Sequence, residues 1–343
     1  MTVREEILEL KDNMQKDIIG QEEIIDRIVV GVLSDGNLLV EGLPGLAKTR
    51  AIKALAKNIE GTFARVQFTP DLKSTDISGS NVLDEETGRK YFEKGPIFNN
   101  VVLADEVNRS PPKTQNSLLE AMEERQVTVG GVSYGMPALF MVMATMNPIE
   151  QEGTHPLPEA QMDRFLMHVS VHYPNEQAEA EIIRLVRNEQ GEINRKKTEK
   201  AKKAPEGEVK KAKDINEKVT NRSITKQQTI FKAREEIYQI KVPERIEKYM
   251  VDIIFAARFP ERFSYELKSF IRCGPSPRGS LALDKCARAH TWLKGKSEVG
   301  KEEVDEICKS VLRHRILLGE RAFKHRVTAD DLVDEILDRW VSC

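Results

Sequence analysis

Five short apolar runs, "NLLVEG", "ARVQFT", "NVVLADE", "FMVMATMN" and "LMHVSVHY", punctuate the chain between Asn37 and about Tyr173. Between them lie segments whose apolar residues recur at helical spacing. Runs of this length with little polar alternation suit strands buried on both faces, and their alternation with helices predicts a parallel sheet covered by helices. Ahead of them, residues 1–33 read as helices broken at Gly20. Two stretches, "NVLDEETGRKYFEKGPIF" and "RQVTVGGVSYGMPALF", read as hairpins, the second turning at Gly130-Gly131, a pair suited to a type I′ turn. Beyond Tyr173 the periodicity is wholly helical. It is interrupted by "EQGEINRKKTEKAKKAPEGEVKKAKDINEKV", which is lysine-rich and nearly free of apolar residues. Such a segment buries too little surface to offset its ordering entropy, which predicts a mobile insertion over about 190–220. The pattern divides the chain into an α/β domain with N-terminal helices over 1–178 and a helical domain over 179–343.

The bulk numbers narrow this picture. A chain of 343 residues, 40% apolar and 31% charged, is long enough for two cores. A net charge of −2 gives no global argument for nucleic acid or an anionic membrane as partner. The longest nearly uninterrupted apolar stretch, "MPALFMVMATM" at 136–146, is too short to span a bilayer. The N-terminus is an acidic amphipathic helix rather than a signal peptide, so a cytoplasmic location is expected. The four cysteines are widely spaced without a C-x-x-C pair, which suggests neither a disulfide framework nor a zinc site.

Candidate chemistry begins where the first strand meets the stretch Gly42-Leu43-Pro44-Gly45-Leu46-Ala47-Lys48-Thr49-Arg50. Glycines let backbone N–H groups converge on an anion, and a helix that follows directs its positive N-terminus there. In the pattern G-x-x-x-x-G-K-[ST], Gly42, Lys48 and Thr49 are in place and Ala47 stands at the second glycine. An ordinary strand-turn-helix connection could carry the same letters. Asp105 and Glu106 close the run "VVLADE", at the strand end where ligands bind in parallel sheets. There an aspartate can hold Mg²⁺ through water while a neighbouring glutamate polarises a water for nucleoside triphosphate hydrolysis. Asn147 ends another strand and could orient that water, although Asn-Pro also simply starts a turn. Arg164 and Arg278 are candidates to stabilise a transferring phosphoryl group, against the plainer alternative of surface salt bridges.

Taken together, "GLPGLAKT", "QFTPDLKSTDISG", "LADEVNRSPPKTQNSLLEAMEERQVTV", "ATMNPIEQEGTHPLPEAQMDRFL" and "SPRGSLAL" resemble the MoxR family of AAA+ ATPases, densely over about 15–180 and more loosely beyond. The resemblance implies an α/β AAA+ P-loop core, with a five-stranded parallel sheet and helices on both faces, followed by an all-helical lid. It also implies an ATPase that uses ATP and Mg²⁺ and assembles as a homo-oligomeric, usually hexameric, ring with nucleotide between subunits. In that frame Lys48 and Thr49 are the Walker A lysine and the Mg²⁺-binding hydroxyl. Asp105 and Glu106 are Walker B, with Glu106 as catalytic base. Asn147 is sensor 1, Arg164 the arginine finger offered to the next subunit and Arg278 sensor 2, while Gln21 matches the segment that packs on adenine. The hairpins match elements that face the pore or substrate side of the ring.

Such proteins act as chaperone-like factors that mature or activate others, often with partners bearing von Willebrand factor A domains. A metal-chelatase-type motor subunit would share the same core. A nucleic-acid-stimulated motor would want basic hairpin tips, yet "DEETGRK" is mixed in charge and "TVGGVSYG" carries none. A scaffold that binds ATP without turnover would be favoured by loss of Glu106 or Arg164, and both are present.

Overall fold

The computed structural model describes residues 1–43, 45–46, 48–147, 154, 157–203 and 224–343, with side chains at 189 and 192–203 excepted. The five apolar runs form one parallel sheet: β1 (Leu38–Gly42), β2 (Phe63–Gln67), β3 (Val101–Asp105), β4 (Met141–Met146) and β5 (Met167–Val171). Their spatial order is β2-β3-β4-β1-β5. Register sets Leu38 beside Met143 and Met167, and Gln67 beside Asp105. Because side chains alternate along a strand, Leu38, Val40, Leu103 and Met143 face one layer of helices. Leu39, Val102, Ala104 and Val142 face the other. Both layers are lined with buried apolar side chains, as the unbroken apolar runs require.

On the first face lie α1 (Val3–Asp17), opened by a capping box from Thr2, then α2 (Glu22–Leu33) and α3 (Lys48–Asn58). On the second lies α4 (Pro112–Glu124). Both expected hairpins form, Gly79–Leu83 with Lys90–Lys94 and Gln126–Val129 with Val132–Gly135. Gly130 and Gly131 both take positive φ, at 60° and 81°, as the type I′ turn demands. Phe92 and Tyr134 stack at 4.0 Å, joining the two hairpins.

The C-terminal half is built of α5 (Glu176–Lys203), α6 (Gln227–Tyr238), α7 (Glu244–Arg258), α8 (Pro277–Leu293), α9 (Lys301–Leu312) and α10 (Ala329–Glu335). Three features add to the sequence reading. Residues 190–203, expected within a mobile insertion, continue α5 as helix; Glu, Lys, Arg and Gln are good helix formers, so polarity that forbids burial does not forbid helix. The remainder of that insertion, 204–220, lies outside the described residues. A short antiparallel pair, Ile271–Cys273 with Leu317–Leu318, adds strand to an otherwise helical region. Finally, the boundary expected at 178/179 falls inside the first turn of α5, and one hydrophobic cluster runs from Ile7 to Ile336, with α9 packed on β5. Among the described residues no helix is long and apolar enough to cross a membrane.

Candidate active site

At the C-terminal edge of the sheet, β1 hands over to the glycine loop. Gly42 is confined there: a Cβ would stand 2.9 Å from the carbonyl oxygen of Val171. Gly45 takes φ +87°, open on every side. Lys48 starts α3 and is only 8% exposed. Its ammonium donates to the carbonyl oxygen of Gly42, and at 3.2 Å each to the carbonyl oxygen of Met146 and Oδ1 of Asn147. All three acceptors are neutral. Burial lowers the pKa of Lys48, against the pull of Asp105, Glu106 and Glu41 nearby. A cation held in this way, at a helix start beside a glycine loop, fits a phosphate group. Thr49 follows in the first turn, half-buried. Pro44 and Ala47 lie outside the described residues.

The two acids share Thr145 and otherwise have different partners. Oδ1 of Asp105 accepts from the Thr145 hydroxyl at 2.6 Å, and Oδ2 accepts from Nε and a terminal nitrogen of Arg65 at 3.0 and 2.6 Å. Glu106 has left-handed backbone, φ 57° and ψ 48°, uncommon for a side chain of this size. Its N–H donates to Thr145 Oγ1 at 2.9 Å. Its carboxylate accepts from Asn147 Nδ2 and from Gln67 Nε2, both at 2.9 Å. Asn147, 2% exposed, therefore receives the Lys48 ammonium on its amide oxygen and gives its amide N–H to Glu106. One amide fixes the distance between the Lys48 ammonium and the Glu106 carboxylate. Among the described residues no cluster of three or more His, Cys, Asp or Glu could hold a metal unaided. Thr49 and Asp105 would suffice only for an ion completed by phosphate oxygens and water, which is how Mg²⁺ is usually held.

Beside the loop opens a cavity lined by Ile18, Ile19, Gln21, Leu46, Tyr173 and Val186, with Gly45 and Arg50 also on its wall. The Gln21 amide donates to the His172 carbonyl at 2.8 Å and Arg50 to the Asp17 carbonyl at 2.5 Å, pinning the walls. Leu43 is exposed at the loop's rim. An apolar slot next to an anion site suits a base attached to phosphates.

Arg164 and Arg278 are elsewhere. Both line a second cleft with Asp35, Asn37 and Leu166, residues that immediately precede β1 and β5. That is the N-terminal edge of the sheet, one strand from Lys48, and a strand of five residues spans roughly 17 Å. Arg164 Nε lies 3.0 Å from Glu123, which also pairs with Arg278. The structure thus brings Lys48, Thr49, Asp105, Glu106 and Asn147 together, with Gln21 and Arg50 beside them, and separates Arg164 and Arg278 as a pair of their own. Arg278, expected among the residues touching the cofactor, is not part of the loop site of its own chain.

Sequence reasoning missed Arg65, Gln67 and Thr145. A signal existed for each: Arg65 and Gln67 share one face of "ARVQFT" by period 2, and Thr145 is a lone hydroxyl in "MVMATM".

Comparison with known proteins places the chain in a family. Residues 37–167 match the ATPase family associated with various cellular activities (AAA), and residues 266–336 match the AAA lid domain. Chaperone MoxR1 of Mycobacterium tuberculosis is 38% identical, over 93% of this chain and 78% of its own length. Protein MoxR of Methylorubrum extorquens is 28% identical, over 88% of this chain and 85% of its own. A crystal structure from Cytophaga hutchinsonii, assigned as an ATPase, superposes with a TM-score of 0.84 at 35% identity, covering 99% of this chain and 96% of that one.

Thr145 is fully buried and serves both acids at once. Replacing it by valine keeps the shape and strands two polar partners, so Thr145→Val should lower stability by about 1–3 kcal/mol in urea unfolding of the nucleotide-free chain, while Thr145→Ser loses much less.

Proposed function

The chain belongs to the MoxR family of AAA+ ATPases, and we propose that it is a cytoplasmic ring ATPase whose ATP- and Mg²⁺-dependent cycle remodels, matures or activates client proteins. It is a nucleotide-binding ATPase by family. The finer reading rests on one observation: the residues for binding and water activation sit at one edge of the sheet, and the candidate arginines at the other. Nucleotide held by one subunit is then completed by the arginines of its neighbour, which makes oligomerisation part of the active site.

In this reading the loop N–H groups and Lys48 take the phosphate charge, and the base enters the slot beside Gln21. Glu106 accepts the proton of the attacking water, while Asn147 keeps that carboxylate at fixed distance from Lys48. Thr49 and Asp105 would hold Mg²⁺, which supplies charge neutralisation on the phosphate oxygens. Arg164 and Arg278 meet the charge that develops on the phosphate held next door. A hexameric ring and a partner bearing a von Willebrand factor A domain follow from the motif resemblance. Protein clients are favoured over nucleic acid by the hairpins, where Leu83, Tyr91 and Val132 are each more than half exposed, at 55%, 52% and 52%.

Glu106→Gln should bind ATP with unchanged affinity and lose on the order of 10²-fold or more in turnover, measured by isothermal titration and steady-state phosphate release; unchanged hydrolysis removes Glu106 from the chemistry. Arg164→Ala should lose on the order of 10³-fold, and mixing it with Lys48→Ala subunits should restore part of the rate, because each supplies what the other lacks. Mixed assemblies that stay inactive at every ratio argue against an arginine acting in trans.

A further inference from the structure

We propose that Glu123 is the positioning residue of the arginine pair, setting the geometry in which Arg164 and Arg278 are presented to a neighbouring subunit. This rests on the reading that the pair acts in trans. Two guanidinium groups from distant parts of the chain converge on one carboxylate: Oε2 of Glu123 lies 3.0 Å from Nε of Arg164, and Oε1 accepts from a terminal nitrogen of Arg278. Each oxygen serves one arginine. Without the carboxylate two like charges would face each other across the cleft and repel. The carboxylate removes that repulsion and fixes the separation of the two groups. Arg164 meets Glu123 as an ion pair at Nε without hydrogen-bond geometry, and Arg278 donates through one terminal nitrogen, so both keep terminal N–H donors for an incoming phosphate.

The second anchor is Asp163. It stands 3.9 Å from Arg278, accepts from Ser276 at 2.7 Å, and is itself fixed at 2.9 Å by Arg315, whose side chain is 2% exposed. Asp163 therefore belongs to a buried foundation, whereas Glu123 is partly exposed and tied to the rest of the cleft through the two arginines. It sits on the last turn of α4, and α4 begins at the loop carrying Glu106. There the Gln115 amide donates to the carbonyls of Val107 and Ser110 at 3.2 and 3.0 Å. One helix thus joins the base of a subunit's own site to the arginines it offers outward. A single exposed ion pair would contribute little to stability. The role inferred here is geometric, and misplacing a group by about 1 Å can cost on the order of 10²-fold in rate.

The test uses the full chain carrying Glu123→Ala, Glu123→Gln, Glu123→Asp or Arg164→Ala, each alone and mixed with Lys48→Ala subunits. Steady-state ATP hydrolysis is read as kcat and KM, and binding of a fluorescent ATP analogue checks that each variant is folded and competent. Glu123→Ala and Glu123→Gln should lose on the order of 10- to 100-fold in kcat with KM and analogue binding little changed, and Glu123→Asp should recover part of the loss. Adding Lys48→Ala subunits, which present intact arginines, should restore turnover to Glu123→Ala. If they rescue Arg164→Ala but leave Glu123→Ala inactive, Glu123 does not act through the arginines and the proposal falls, while action in trans stands. If they rescue neither, action in trans fails and this inference with it. Turnover that is unchanged or raised in Glu123→Ala and Glu123→Gln also overturns it, since the carboxylate would then be idle or a brake.

Discussion

A buried ammonium with only neutral acceptors around it sets the terms for the rest of this structure. Lys48 is withdrawn from water at the start of α3, and its three hydrogen bonds go to two carbonyls and an amide. Burial without a direct counter-ion is costly, and the lowered pKa of Lys48 expresses that cost. The arrangement makes sense as half of an ion pair whose other half is a ligand. Everything adjacent is arranged so that the ammonium stays in place. Gly42 is pressed against Val171, Asn147 joins the ammonium to Glu106, and Thr145 locks the backbone of Glu106 to the carboxylate of Asp105.

The sheet then divides labour between its two edges. Strands buried on both faces are rigid rods, so what is fixed at one end is fixed relative to the other. The C-terminal edge carries cation, acids and amide; the N-terminal edge carries Arg164 and Arg278. α4 runs between them, tied to the Glu106 loop at its start and to both arginines at its end. The second hairpin follows α4 directly and stacks through Tyr134 on Phe92 of the first. One helix therefore touches the Glu106 loop and the arginine pair and leads directly into the exposed hairpins.

Much of this was legible from residue order, because the features concerned are local. The five strands, both hairpins and the loop from Gly42 to Arg50 are each written in a few consecutive residues. What escaped was whatever depends on strand order. Arg65 and Gln67 reach Asp105 and Glu106 only because β2 lies beside β3, and no local pattern states that neighbourhood. Arg278 reads as a helix-start residue, and its place beside Arg164 emerges only when α8 packs at the far edge of the sheet. The lysine-rich run follows a different rule. Absence of apolar residues argues against burial, whereas helix formation in 190–203 follows from backbone propensity.

The central claim is that the active site is shared between subunits, and specific ATPase activity as a function of protein concentration, paired with mass in solution, tests it most directly. Activity per subunit should climb over the same concentration range in which assemblies form, and should be indifferent to single-stranded or duplex DNA. Constant specific activity down to concentrations where the chain is monomeric would contradict the account, because the arginines would then not be needed from a neighbour.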